Sequence, residues 1–175
     1  MKHFLGAVDA TNKWVGVSVS YVLLIAITVT LIEVIGRFAF NHPTIWAHES
    51  ATHLFGFYLI MAGGYLILID FHTRVDVLWA RFSPRGRAII DLCTCGFVFL
   101  FLGMLFWQSI PMFLKSFQIG EVSQTPFAPP IYPLKACLVL GSFLILLQFI
   151  AKFIRDIHTA VTGVGRAAVT RVAYD

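Results

Sequence analysis

The sequence predicts an all-α integral membrane protein. Four transmembrane helices leave both chain ends on the cytoplasmic side, and a short amphipathic helix lies on the cytoplasmic surface between helices 2 and 3. Three observations carry this prediction. The first is composition: of 175 residues, 58% are hydrophobic, 13% are charged and 17 are Phe. Water-soluble domains carry about 25% charged residues, and a chain this short supports only one modest core, so lipid must solvate much of the apolar surface. The second is a set of four apolar stretches of the ~20-residue length that a hydrocarbon layer about 30 Å thick requires. The third is the uneven placement of Lys and Arg around those stretches.

The first span is expected over residues 15–36, where Val15 to Ile32 carries no charge. It is longer than the apolar core of a signal peptide, no small-x-small cleavage site follows it, and Glu33 and Arg37 come next, so it reads as a retained span. Asn41-His42-Pro43-Thr44 makes a tight outer connection to the second span, expected over 45–70, in which Ser50 to Ile69 holds no Asp, Glu, Lys or Arg. Phe71, Val75, Leu78, Trp79 and Phe82 then recur along one helix face. With Arg74 and Arg81 interleaved, residues 71–82 read as a helix lying in the membrane surface rather than one packed on soluble protein. Ser83-Pro84 reads as the next helix start, Ser capping and Pro in the first helical position.

The third span is expected over 88–114, uncharged from Leu92 to Leu114 and with Pro111 near its end. The stretch from Ser123 to Pro133 is so rich in proline that it favours extended or turn conformation, giving a stiff outer loop. The fourth span is expected over 131–155, and its one early charge, Lys135, is close enough to the edge to snorkel into the headgroups. Residues 157–175, with Gly163 and Gly165, read as a cytoplasmic tail. Strand-period alternation is absent, which argues against a transmembrane barrel. The chain reads as one membrane domain, 1–175, without internal repeats.

Orientation follows from the basic residues. With the N-terminus inside, ten Lys and Arg fall on the cytoplasmic side and three (Arg37, Lys115, Lys135) on the outer side, the bias that sets topology in membrane proteins. The net charge of +4 then sits where anionic inner-leaflet lipids are met, so phospholipid rather than nucleic acid is the expected partner. Cys93, Cys95 and Cys137 lie inside apolar helices, which argues against a disulfide framework.

Charged residues at a span are functional candidates by default. Glu33 is in the last turn of helix 1, and Arg37 four residues on is in the favourable order for an intrahelical pair. Glu49 opens helix 2 on the same side, where the helix dipole favours an acid. Glu33, Arg37 and Glu49, with Trp46 at the interface, therefore read as a polar cluster tying helices 1 and 2 together, with direct ion or substrate binding the alternative. His42, His48 and His53 cluster at the start of helix 2, whereas a bis-His haem needs ligands on facing helices. Gly56, Ala62, Gly63 and Gly64 on helix 2 and Gly141 and Ser142 on helix 4 could let helices approach closely, and Gln148 is placed to hydrogen-bond across an interface. No nucleophile-and-base arrangement, phosphate loop or zinc spacing occurs, so no enzyme activity, cofactor or metal site is expected. A midplane charge or broken span of the kind that transporters build around substrate is also absent. These residues describe a scaffold subunit or membrane anchor better than a pump, and a small multidrug-type exporter using Glu33 for proton coupling is the alternative.

Several marks together resemble the small, DctQ-like membrane subunit of the tripartite ATP-independent periplasmic (TRAP) transporters, from about Lys13 to Asp156. They are Arg37-Phe38 after helix 1, Trp46 and Glu49 as Trp-x-x-Glu opening helix 2, and His72, Arg74, Val75 and Asp76 as His-x-Arg-Val-Asp after it. Thr125, Pro126 and Pro133 then lead into a fourth helix that carries Leu147-Gln148. The resemblance implies a small permease subunit in the bacterial inner membrane, beside a large elevator-type membrane subunit that binds sodium and substrate. It also implies a separate periplasmic substrate-binding protein that delivers an organic acid or related solute.

Overall fold

The computed structural model describes residues 2–69 and 84–162. The described chain is four α-helices: α1 (Lys2–Ala39), α2 (Ala47–Leu68), α3 (Pro84–Ile119) and α4 (Tyr132–Thr162). Each contains a segment long and apolar enough to cross a membrane. The surface helix expected over 71–82, with His72, Arg74 and Asp76, lies outside the described residues, as does the tail from residue 163.

At 1.5 Å per residue the helices are about 57, 33, 54 and 46 Å long. Only α2 matches a hydrocarbon layer about 30 Å thick; the others run past the expected spans of 15–36, 88–114 and 131–155. Hydropathy marks where lipid is the solvent, whereas a helix continues until its backbone bonding is interrupted. Nothing between Lys2 and Trp14 interrupts α1, because that stretch has no Pro and its polar residues Asp9 and Asn12 find partners on α4. Pro84 stands first in α3, where its missing N–H costs nothing. Pro133 falls in the first turn of α4 for the same reason, and the Leu134 and Lys135 amides both donate to Ile131 O at 3.1 and 3.2 Å.

The helices pack side by side in the order α1–α2–α4–α3, with α1 meeting α4 only over a short stretch. The result is an open layer with α1 and α3 as its edges. Buried positions recur every seven residues: Asn12, Val19, Ala26 and Glu33 on α1, and Leu102, Ser109 and Ser116 on α3. On α4 two adjacent series run Gly141–Gln148 and Ser142–Phe149–Asp156. A strict heptad keeps one stripe facing one neighbour and is the signature of left-handed helix pairing. Small and polar side chains dominate these seams, as they must where lipid removes the hydrophobic drive between helices and close packing supplies the attraction.

Glycines set the closest approaches, Gly16 of α1 against Tyr65 of α2 among them. A Cβ at Gly64 of α2 would lie 1.9 Å from Asn12 Oδ1 of α1, and a Cβ at Gly141 of α4 would lie 2.4 Å from Ile60 Cγ2 of α2. Large apolar contacts concentrate where α2, α3 and α4 meet, around Ile67, Leu102 and Phe149. There the Phe99 ring stands edge-on to Phe149 and Phe153, with centroids 4.9 and 5.3 Å apart.

Candidate functional site

Charged and amide side chains inside the layer gather at its two ends. At the end carrying the connections α1–α2 and α3–α4, two carboxylates hold two different loops. Glu33 is buried on the α1 seam. Its Oε1 accepts from Arg37 Nε at 3.1 Å and Nη2 at 2.5 Å; its Oε2 accepts from the Thr44 amide at 3.1 Å and from the Thr44 hydroxyl. A single side chain thus fastens the connection over residues 40–46 to the end of α1. Beside it, Thr30, Glu33, Arg37, Ala47, His48 and Ala51 line a cavity of about 180 Å³ between α1 and α2.

Glu49, in the first turn of α2, is buried too. Its Oε2 accepts from the Thr125 hydroxyl, and His53 Nδ1 lies 2.9 Å from its backbone carbonyl. Glu33 and Glu49 share no hydrogen-bond partner. The single cluster expected from the sequence is therefore two separate fastenings. Trp46 precedes α2 and is 40% exposed; it contributes through its backbone carbonyl, which accepts from the Ser50 amide at 2.9 Å.

Residues 121–131 form a short hairpin. Val122 and Pro130 make an antiparallel bridge, with Ser123 N donating to Pro129 O at 2.9 Å and Ile131 N to Glu121 O at 3.0 Å. Its turn runs from Thr125 through the exposed Pro126 to Ala128, whose amide donates to Thr125 O at 3.0 Å. Ala128 adopts φ 46°, a left-handed conformation that costs a non-glycine residue about 1–2 kcal/mol. At the hairpin base, Lys135 Nζ donates to the Glu121 carboxylate. That ammonium holds the Glu121 carboxyl below the usual carboxylate range. Lys135, near the start of α4, is thus paired with the loop carboxylate.

At the opposite end, Gln148 of α4 is fully buried. Its Oε1 accepts from Asn12 Nδ2 at 2.9 Å and its Nε2 donates to Asp9 Oδ1 at 2.9 Å. Arg155, seven residues along α4, reaches the other Asp9 oxygen at 2.5 Å. This clasp joins α1 directly to α4 beside the last turns of α2. Sequence reasoning singled out Gln148 but missed Asp9, Asn12 and Arg155; the spacing 141–148–155 on one helix was the available signal. Between the two ends, α1, α2, α3 and α4 carry no Asp, Glu, Lys or Arg over residues 14–32, 50–68, 94–114 and 136–151. Among the described residues, no group of three His, Cys, Asp or Glu is placed to hold a metal ion.

The family model described as "Tripartite ATP-independent periplasmic transporters, DctQ component" matches residues 26–159. The match takes in the last third of α1, both outer fastenings, the hairpin, Gln148 and Arg155. No curated protein matches the chain. A transmembrane layer of four helices with its polar contacts at the two rims, matched over most of its length, belongs to the family of the DctQ component of the TRAP transporters, which is a transporter component and not an enzyme family.

Proposed function

We propose that the chain is the small membrane subunit of a TRAP transporter, scaffolding a large elevator-type permease during sodium-coupled uptake of an organic acid or related solute. The observation that carries this reading is the open α1–α2–α4–α3 layer. Its edge helices have large unpartnered apolar faces, and its charges sit at the rims. Such a layer extends a neighbour's surface in the membrane; it does not enclose a path. An exporter of the small multidrug type needs its membrane carboxylate free to exchange a proton, whereas Arg37 and Thr44 occupy both oxygens of Glu33.

The partners are then the large membrane subunit, a periplasmic substrate-binding protein and the surrounding phospholipid. Sodium and substrate belong to the large subunit, and this chain holds no cofactor. The protein sits in the bacterial inner membrane. Counted in the sequence, ten basic residues fall on the N-terminal side of the four apolar stretches and three on the other side, which favours both termini in the cytoplasm. The hairpin and the Glu33 and Glu49 fastenings then face the periplasm.

Co-expression with the adjacent reading frames, followed by purification through a tag on this chain, tests the reading. A large polytopic membrane protein is expected to co-purify. Recovery of the chain alone, active in proton-driven transport in liposomes, would overturn it.

A further inference from the structure

The exposed faces of the two edge helices differ in whether lipid can satisfy them. On α1 the exposed hydroxyl of Thr28 and the half-buried one of Thr30 donate to carbonyls of their own helix, Leu24 O and Ala26 O, each at 2.8 Å. Ser20 does the same to Gly16 O at 2.8 Å. Ser18 and Tyr21 lie toward the Lys13 end, where a polar tip can reach the headgroups. The α1 edge is thus compatible with hydrocarbon.

The α3 edge is not. Gln108 is exposed near the middle of the Thr94–Ile119 span, and its amide has no hydrogen-bond partner among the described residues. Lys115 marks the outer boundary seven residues on, which puts Gln108 about 10 Å inside the hydrocarbon. Trp107 beside it is 77% exposed, carrying an indole N–H at a depth where Trp is out of its usual interfacial place. Pro111, also exposed, has no N–H to give the Trp107 carbonyl, the donor a helix supplies at that position. An amide, an indole N–H and a backbone carbonyl therefore converge on one lipid-level face. Lipid tails offer none of them a partner, so the cost of leaving them unsatisfied falls on any arrangement in which this face meets lipid. Next to this patch the helix backbone is open, since a Cβ at Gly103 would meet nothing within 4 Å.

We infer that the Trp107–Gln108–Pro111 face of α3 seats a transmembrane helix of the large subunit, and that this helix presents a complementary polar side chain to Gln108. The inference rests on the proposed function for the identity of the partner, and on the unpartnered polar groups for the surface. A helix satisfies these groups where lipid does not, and α3, as an edge helix, is free to take a neighbour.

The experiment uses the full chain co-expressed with the large subunit. A benzophenone-bearing residue replaces Met104, exposed one turn from Gln108 on α3, or Ile25, exposed on α1. Irradiation is expected to give an adduct with the large subunit from position 104 and none from position 25. A companion variant, Gln108→Leu, removes the hydrogen bond from an exposed site and is expected to weaken recovery of the large subunit about threefold to tenfold. An adduct from position 25 alone, or one of twice this chain's mass from position 104, would overturn the surface while leaving the scaffold reading in place. Failure of the unsubstituted chain to bring down the large subunit at all would overturn both.

Discussion

A side-chain amide carries a donor and an acceptor, and Gln148 directs the two at different residues of α1, Asp9 and Asn12. Replacing it by Leu keeps the volume and leaves both partners facing an apolar surface. Gln148→Leu is expected to cost about 1–3 kcal/mol, the penalty of stranding buried polar groups, read as a lower unfolding temperature in detergent. Asp9→Ala cuts the same clasp and takes from Arg155 its Asp9 contact, so the double variant should cost less than the two single losses added. Additive losses would mean that the clasp is not one network. Gly64 gives a second test, because Asn12 Oδ1 lies where its Cβ would go. Gly64→Ala should destabilise by about 1–3 kcal/mol through overpacking, and most of that cost should vanish in an Asn12→Ala background. Gln148 was legible in the sequence because an amide in mid-span stands out against Leu and Phe. Asp9 and Asn12 were not, because they precede the apolar run and hydropathy assigns them to solvent.

The hairpin is an element held by ionised groups. Depression of the Glu121 carboxyl by Lys135 means that the folded hairpin prefers the charged form more than an unfolded chain does. Its contribution to stability is present above the usual carboxylate range, near 4.3, and is lost as pH falls through the lower folded value. Protection of the hairpin amides, taken as exchange relative to the intrinsic rate at each pH, should therefore be high at neutral pH and fall only in acid below the usual carboxylate range, and Glu121→Gln should remove that acid step. A step near neutral pH would assign the transition to another group. Ala128→Gly should act in the opposite sense, relieving φ 46° and raising stability by up to about 1 kcal/mol, less the extra freedom that glycine gives the unfolded chain. The prolines between Thr125 and Pro133 were enough to read a turn here. Its fastenings were harder to read: Glu49 and Thr125 lie 76 residues apart, and nothing local in the sequence pairs them.

Over the whole molecule, four spans were legible because lipid demands long apolar runs, but their neighbour relations were not, since every span is apolar on most of its surface. The order α1–α2–α4–α3 emerges from seams of small and polar residues spaced by seven, a weaker signal than hydropathy. That order fixes which elements share an end, and so what a topology measurement reports. Phe127 on the hairpin and Val161 near the end of α4 are both exposed, at opposite ends of the layer. The native cysteines lie in apolar stretches, so Phe127→Cys and Val161→Cys each add a thiol where a water-soluble reagent can reach. An impermeant maleimide applied to cells with a permeabilised outer membrane should label Phe127→Cys at once. It should label Val161→Cys only after the inner membrane is opened, as the ten-to-three distribution of basic residues requires. The reverse pattern would put the Glu33 and Glu49 fastenings in the cytoplasm, out of reach of any periplasmic partner. Labelling of both in sealed cells would break the even number of crossings itself, since two ends joined by α4 cannot face one compartment if α4 spans the membrane.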